Sequence, residues 1–454
     1  MKKRLSAVLG AVLASTMGVQ SFALGTASYS SELISARSLG QGGTGVAGTQ
    51  NDPIAVYTNP AALTEMKGTQ ATVGLSYVNA SPKFKNAATS AGFGASTYSK
   101  GTAGDVTGAR ATSVAIPDFA ITSSWLDGRV AAGLAAVTPY GLETHWDGDS
   151  PMRYQATDAR LRMVDVTSAL AYKVCSGFSI AAGLDYWNTV EGALEHKINV
   201  AALNSSLGGA AVGADANSRL NGNGDGFGYH VGTVLRFNAR HQLGVVYHSA
   251  VRMALTGNAQ IKGLSGTAAT VFGGSNFSTD ANAPLYIPQN VQVGYSYTPN
   301  ERWNLEADAS WYDWYAARQL GVVYQGNLTS TQASVLASGN PTEFKPRKTI
   351  NFGFGANYKA SDALQLRAGG YYQAAALPES YFDAAFVDLP RYAATLGAGW
   401  AVTKSLGMDF AYNAVFFHAR DVNAPGAASS GSGYDGRFTS FANIVSASLT
   451  WRVD

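Results

Sequence analysis

From Arg391 to Val402 the chain alternates. Tyr392, Ala394, Leu396, Ala398, Trp400 and Val402 fall on one parity, and Arg391, Ala393, Thr395, Gly397, Gly399 and Ala401 on the other. The first set is apolar with an aromatic toward each end; the second is small or polar. A helix would mix the two sets, so the period predicts a strand. The pattern recurs. Leu406, Met408, Phe410, Tyr412, Ala414 and Phe416 oppose Gly407, Asp409, Ala411 and Asn413, and Val291, Val293, Tyr295 and Tyr297 oppose Gln292, Gly294 and Ser296. The alternation template predicts about fourteen strands, near 70–79, 113–125, 129–139, 160–174, 178–193, 227–237, 241–256, 288–298, 303–315, 349–359, 364–373, 391–402, 406–417 and 441–453.

The chemistry of the two faces separates a soluble sandwich from a membrane barrel. A sandwich would turn Lys and Glu to water on its outer face. Here the minor face is mostly Gly, Ala, Ser, Thr, Asn and Gln, and the major face is large and apolar. That is the pattern of lipid outside and a crowded polar lumen inside. Tyr392 and Trp400 are eight residues apart, or roughly 26 Å at ~3.3 Å per residue. Tilted by ~40°, this covers about 20 Å of bilayer normal, close to the ~25 Å apolar band of a barrel. Short connections such as Asp127-Gly128 and Asn238-Ala239-Arg240 alternate with long ones at 194–226, 257–287 and 418–440. This is the expected asymmetry of periplasmic turns and extracellular loops. The fold class expected is all-β: a transmembrane antiparallel barrel of about 14 strands.

The start of the chain reads as an export signal. Lys2, Lys3 and Arg4 precede an apolar run from Leu5 to Val19, and Ser21-Phe22-Ala23 offers small residues for cleavage after Ala23. The run is shorter than the ~20 residues of a spanning helix, and no longer one follows. Residues 1–23 are therefore expected to be a signal peptide. The formal charge of +2 gives no electrostatic case for nucleic acid. Cys175 is the single cysteine, so it forms no internal disulfide and is expected to be a small buried residue.

Residues 24–66 do not alternate. Gly40, Gly42 and Gly45 fit the G-x-G-x-x-G spacing of dinucleotide sites, but no hydrophobic strand precedes them. They read better as backbone packed closely inside something larger. Asn59-Pro60-Ala61 follows. An asparagine amide can tie backbone groups, and the proline fixes the turn after it. Near the end of the third strand, Thr138-Pro139-Tyr140-Gly141 combines a residue that cannot donate to the ladder with one that permits a sharp bend. Pro139 either ends the strand at its loop or breaks the wall.

In order, the glycine-rich segment, Asn59-Pro60-Ala61-Ala62-Leu63, Pro117-Asp118-Phe119, Thr138-Pro139-Tyr140-Gly141-Leu142-Glu143-Thr144, Gly226-Phe227-Gly228-Tyr229 and Leu389-Pro390-Arg391 make the chain resemble the FadL/TodX family of outer-membrane hydrophobic-compound transporters. The resemblance implies fourteen strands over 67–454 and an N-terminal hatch over 24–66 in the lumen. It implies that Asn59, Pro60 and Ala61 hold the hatch, and that Pro139, Tyr140 and Gly141 kink the third strand for lateral release. The implied activity is passive outer-membrane uptake of long-chain fatty acids or aromatic hydrocarbons in a Gram-negative cell. The implied partners are the hydrophobic substrate, outer-membrane lipid and lipopolysaccharide, and the barrel-assembly machinery, with the barrel a monomer. Two features depart from the pattern. The outer fifth strand reads Asn188-Thr189-Val190-Glu191 without a base for a carboxylate, leaving Lys345, Arg347, Lys348 and Arg391 as candidates. The chain closes on Trp451-Arg452-Val453-Asp454, where the lipid-facing parity falls on Trp451 and Val453.

No catalytic constellation appears. His145, His196, His230, His241, His248 and His418 form no His-x-x-x-His pair, and no Gly-x-Ser-x-Gly elbow exists. His248 has the lumen parity of its strand. No cofactor, metal site or enzymatic activity is expected. Ligand-binding residues are not identifiable at this level. Trp311, Tyr312, Trp314 and Tyr315 read as an interfacial girdle, with ligand stacking as the alternative. A water-filled porin and an outer-membrane hydrolase are the competing functions.

Overall fold

The computed structural model describes residues 34–86, 106–108, 111–338, 340–423 and 435–453. The expected signal peptide, the first part of the N-terminal segment and part of the 418–440 connection lie outside them.

Fourteen antiparallel strands close into one barrel. They are β1 (Thr69–Ala80), β2 (Thr112–Trp125), β3 (Val130–Val137 and Gly141–His145), β4 (Asp158–Cys175), β5 (Phe178–Ile198), β6 (Ala216–Arg236) and β7 (His241–His248 and Val251–Lys262). There follow β8 (Asn276–Ile287 and Asn290–Asn300), β9 (Trp303–Tyr312), β10 (Thr349–Lys359), β11 (Leu364–Gln373), β12 (Arg391–Ala401), β13 (Leu406–Phe417) and β14 (Phe441–Val453). Pairing of β1 with β14, from Thr69↔Val453 to Ala80↔Ala442, closes the ring. Closure satisfies the backbone without an edge, which is what lets strands cross a bilayer. Among the described residues no helix is long and apolar enough to cross.

The predicted faces are the observed ones. Along β12, Tyr392, Leu396 and Trp400 are exposed while Ala393 and Thr395 are buried; along β13, Phe410 and Tyr412 are exposed while Asp409 and Asn413 are buried. Trp451 and Val453 also point outward. The expected loops at 194–226 and 257–287 prove to carry the outer ends of strands, over 194–198, 216–226, 257–262 and 276–287, with a short helix in each. The outer ends of β4 to β6 carry a charged ladder. Arg160 and Arg162 share the outward parity of Val166 and Leu170, and they pair with Asp158, Glu143, Glu191 and Glu195, with Arg219 on Glu195. Beyond the lipid the outward face meets water, so apolar alternation stops before the strand does.

The short turns behave as their residues require. Leu126 and Asp127 take φ of 54° and 56° and Gly128 takes 79°, the left-handed values of a tight hairpin. Asn238 accepts from the Arg240 and His241 amides at 2.8 and 3.1 Å. Cys175 lies at the β4–β5 turn and is exposed. The burial expected of it fails because the turn belongs to neither face of the sheet.

The N-terminal segment sits inside the ring. Ser35 caps α1 (Ala36–Gly40), accepting from the Arg37 amide at 3.1 Å. α2 (Ala55–Thr58) and a 3-10 turn (Pro60–Glu65) follow. Ile54, Val56, Ala61 and Leu63 are fully buried against the lumen wall. The glycine run makes the close backbone approaches expected. A Cβ on Gly40 would lie 2.9 Å from the Gly397 Cα, and one on Gly42, at φ +72°, 2.2 Å from the Phe354 carbonyl.

Candidate functional site

The lumen is filled by polar anchors between the N-terminal segment and the wall. Asn59 donates its amide to the Val46 carbonyl at 2.7 Å and the Thr233 carbonyl at 3.0 Å, and accepts from the Ala61 amide at 3.2 Å. Pro60 opens the 3-10 turn, where its missing N–H is not needed. Ala61 is fully buried. The three residues singled out in sequence thus form one junction, joining two parts of the segment to β6.

Other anchors were not legible. Arg37 Nη2 meets Asp409 Oδ2 at 2.6 Å, and Arg367 Nη1 meets Asp409 Oδ1 at 2.6 Å. Burial opposes the charge on Arg37, but Asp409 and Asp52 outweigh it and hold its pKa above the ordinary value. Asp308 accepts from the Gly45 and Val46 amides at 2.9 and 3.1 Å, and Glu306 from the Ala47 amide at 3.1 Å. Gln242 donates to the Ala47 carbonyl at 2.7 Å. At the turn side, Glu65 pairs with Lys173 at 3.1 Å and with Arg236. Asp409, Asp308 and Glu306 each sit on the minor parity of their strand, so their inward direction was readable but their partners were not.

β3 is interrupted between Val137 and Gly141, at Thr138, Pro139 and Tyr140, and Gly141 resumes pairing with β4 opposite Arg162. The β2–β3 ladder runs from Trp125↔Val130 to Phe119↔Ala136 and ends there. Beyond it Gly141–His145 pairs only with β4, while Thr112–Asp118 pairs only with β1. Tyr140 is buried and turned inward, with ring centroids 5.5 Å from Trp187 and 6.3 Å from Trp314. Pro139 and Tyr140 border a space of about 460 Å³ whose other side is Ile34, Thr44, Val46 and Tyr57 of the N-terminal segment.

On the far side of Tyr140 lies a larger cavity, about 1170 Å³ of empty space partly open to solvent. Leu142, Leu161, Leu194, Leu220, Leu255 and Leu285 line it, one leucine from each strand from β3 to β8, under Trp314, Phe344 and Phe386. Sequence reasoning missed these residues. The available signal was an inward leucine on each outer strand; Leu194, Leu220 and Leu285 fell in stretches that read as loops, while Leu161 and Leu255 lay within predicted strands and carried no mark of a pocket. Among the lining residues Arg160 is the one charged group, and its guanidinium is committed to Asp158, Glu191 and Glu195.

The aromatic cluster after β9 corrects an expectation. Tyr312 and Trp314 are buried, stacked at 6.0 Å, and Trp314 donates to Thr349 Oγ1 at 3.1 Å. They face inward rather than forming a girdle, because both fall on the even, lumen-facing parity that Glu306, Asp308 and Ser310 set along β9; Tyr315 is exposed. The four candidate bases do not line the cavity. Lys345 pairs with Glu343, Lys348 reaches Asp313, Arg347 is exposed, and Arg391 is buried against Gln373 and the Phe417 ring.

Residues 17–453 match the family described as outer membrane protein transport protein (OMPP1/FadL/TodX). An outer membrane protein of Neisseria meningitidis serogroup B is 26% identical over 261 residues; the match spans 54% of this chain and about half, 54%, of that relative. The barrel resembles the crystal structure of a Pseudomonas aeruginosa FadL homologue with a TM-score of 0.80 at 24% identity, covering 93% of this chain and 99% of the other. It resembles the P. putida toluene transporter TodX with a TM-score of 0.69 at 18% identity, covering 93% and 99%.

Proposed function

The chain belongs to the OMPP1/FadL/TodX family of outer membrane transport proteins, a family of transporters for hydrophobic compounds rather than of enzymes, and on that premise we propose that it carries neutral hydrophobic molecules inward down their gradient. The observation that carries the choice of substrate is the leucine-lined cavity, whose one bordering cation is already paired on the outward face. A carboxylate buried there would lose its hydration without a partner. A neutral aromatic or aliphatic molecule loses nothing and gains roughly 25 cal/mol per Å² of apolar surface buried.

The route follows from the arrangement. An apolar solute is stopped by the polar lipopolysaccharide layer, not by hydrocarbon. It enters from outside, rests among the leucines, passes Tyr140, and leaves sideways where β2 and β3 lose their ladder. The N-terminal segment acts as a hatch that closes the straight path, which speaks against a water-filled porin. The barrel works as a monomer in the lipid after insertion by the assembly machinery.

The test is uptake by cells lacking other such transporters. A neutral monoaromatic hydrocarbon should enter at least tenfold faster with the protein than without. Ala283→Trp, which fills the cavity, should abolish the gain while leaving the barrel heat-modifiable on gels. A long-chain fatty acid binding more tightly than its methyl ester would sink the neutral-substrate reading.

A further inference from the structure

Beneath the N-terminal segment, away from the cavity, three strands bring buried ligating groups together. Asp185 on β5, His230 on β6 and His248 on β7 each present one ligating atom, all within 4.8 Å of one another. The register explains the meeting. His230 pairs directly with His248 on one side and with Gly183 on the other. A Cβ at Gly183 would lie 2.1 Å from His230 Cε1, so glycine makes the room in which the imidazole swings toward Asp185. The two imidazoles stack with centroids 5.2 Å apart.

The surrounding contacts are those of a held ligand set. His230 Nε2 lies 3.0 Å from the Val56 carbonyl, and His248 is held by the Tyr57 backbone and ring. Metal-ligating histidines commonly donate their second N–H to a carbonyl in this manner, which fixes the tautomer and frees the other nitrogen. Asp185 is steadied by Thr167 Oγ1 at 2.7 Å and lies 2.8 Å from His230 Nδ1. His248 Nε2 is buried without a hydrogen-bond partner, as are both carboxylate oxygens of Asp165, one pair of residues further along β4. Two carboxylates therefore share a buried site in which no lysine or arginine pairs with either, among the described residues.

We infer that Asp185, His230 and His248 bind one divalent transition-metal ion of the zinc type, with Asp165 balancing the remaining charge. Two nitrogen ligands and few oxygens suit zinc and exclude calcium or magnesium, which take six or more oxygens or octahedral water. Ligand atoms on one tetrahedral zinc lie about 3.4 Å apart for bonds of ~2.0–2.1 Å, so binding draws the widest pair, within 4.8 Å here, together by at most about 1.4 Å. The ion joins β5, β6 and β7 and locks both rings onto the Val56 and Tyr57 carbonyls of the N-terminal segment. This proposal is independent of what the barrel carries.

The test uses detergent-purified protein without a polyhistidine tag, stripped with chelator and dialysed against zinc. Metal analysis should give one zinc per chain in the wild type, with a rise in the thermal transition. Asp185→Asn and His248→Ala should hold less than a tenth of that, while His241→Ala, on the outer face, should hold it all. Wild-type protein carrying no more zinc than the His230→Ala/His248→Ala double variant overturns the site. So does zinc that survives His248→Ala but is lost with His241→Ala. Should the variants fail to fold, cobalt decides on the wild type alone. One equivalent must give the intense visible absorption of a tetrahedral nitrogen and oxygen site, and its absence refutes the assignment.

Discussion

Gly232 is the seat of Asn59. A Cβ at position 232 would lie 2.3 Å from Asn59 Oδ1 and 2.9 Å from Pro60 Cδ. The wall of β6 is hollowed at one residue to admit the junction of the N-terminal segment, and the amide of Asn59 then reaches the neighbouring Thr233 carbonyl.

Two substitutions should therefore loosen the segment from opposite sides. Gly232→Val removes the seat, and Asn59→Ala removes the amide, leaving its buried partners short of a donor at about 1–3 kcal/mol. Both should raise single-channel conductance in planar bilayers and admit hydrophilic dyes, with the barrel still heat-modifiable. Deletion of residues 24–66 should give the largest rise. A tight barrel after that deletion would place the closure elsewhere.

Asp409 should matter more than Arg37. Removing Arg37 as Arg37→Met leaves Asp409 paired with Arg367 at 2.6 Å. Asp409→Asn leaves two buried guanidiniums facing a neutral amide, and breaking a buried pair in this way costs about 3–5 kcal/mol. The expected order of thermal transitions in detergent is wild type, Arg37→Met, then Asp409→Asn. The same order should hold for resistance of the N-terminal segment to protease.

The break in β3 should be where the substrate leaves. Pro139→Val with Gly141→Val restores a strand able to continue its ladder. Uptake of a hydrophobic substrate should fall strongly, while binding in the leucine-lined cavity and exclusion of dyes persist. Normal uptake by this double variant would remove the lateral exit from this site.

The connection between β11 and β12 carries a pH-dependent strain. Asp383 is half-buried and accepts from the Ala385 amide at 2.8 Å; loss of hydration pushes its pKa up to about 6, and that bond only partly opposes the rise. Its folded pKa lies above the unfolded value of about 4. The folded state thus binds the extra proton between these values, and stability falls as pH rises from about 4 through 6. Asp383→Asn keeps the acceptor and cannot ionise. It should raise the thermal transition at pH 7–8 and change it little below pH 4. A gain of equal size at both would show that burial of the charge is not the cause.

What the chain determined by itself is the barrel and the direction of each side chain. Period two depends only on neighbours in sequence, and lipid against lumen is a contrast strong enough to write that period into composition, as in Tyr392 to Trp400. Asn59-Pro60 was legible for a related reason, since a cap and a turn are local. Leu194, Leu220 and Leu285 of the cavity were hidden because the outer ends of β5, β6 and β8 face water on one side, so their alternation no longer looks like a membrane strand. Tyr312 and Trp314 were misread because four neighbouring aromatics look like one girdle, although these two carry the inward parity of Glu306, Asp308 and Ser310. The meetings of Arg37 with Asp409, and of His230 with His248 and Asp185, were decided only by the tertiary structure. Pairing across a barrel depends on register, bulges and closure summed over many strands, and a bond between positions 37 and 409 has no local trace for a sequence to carry.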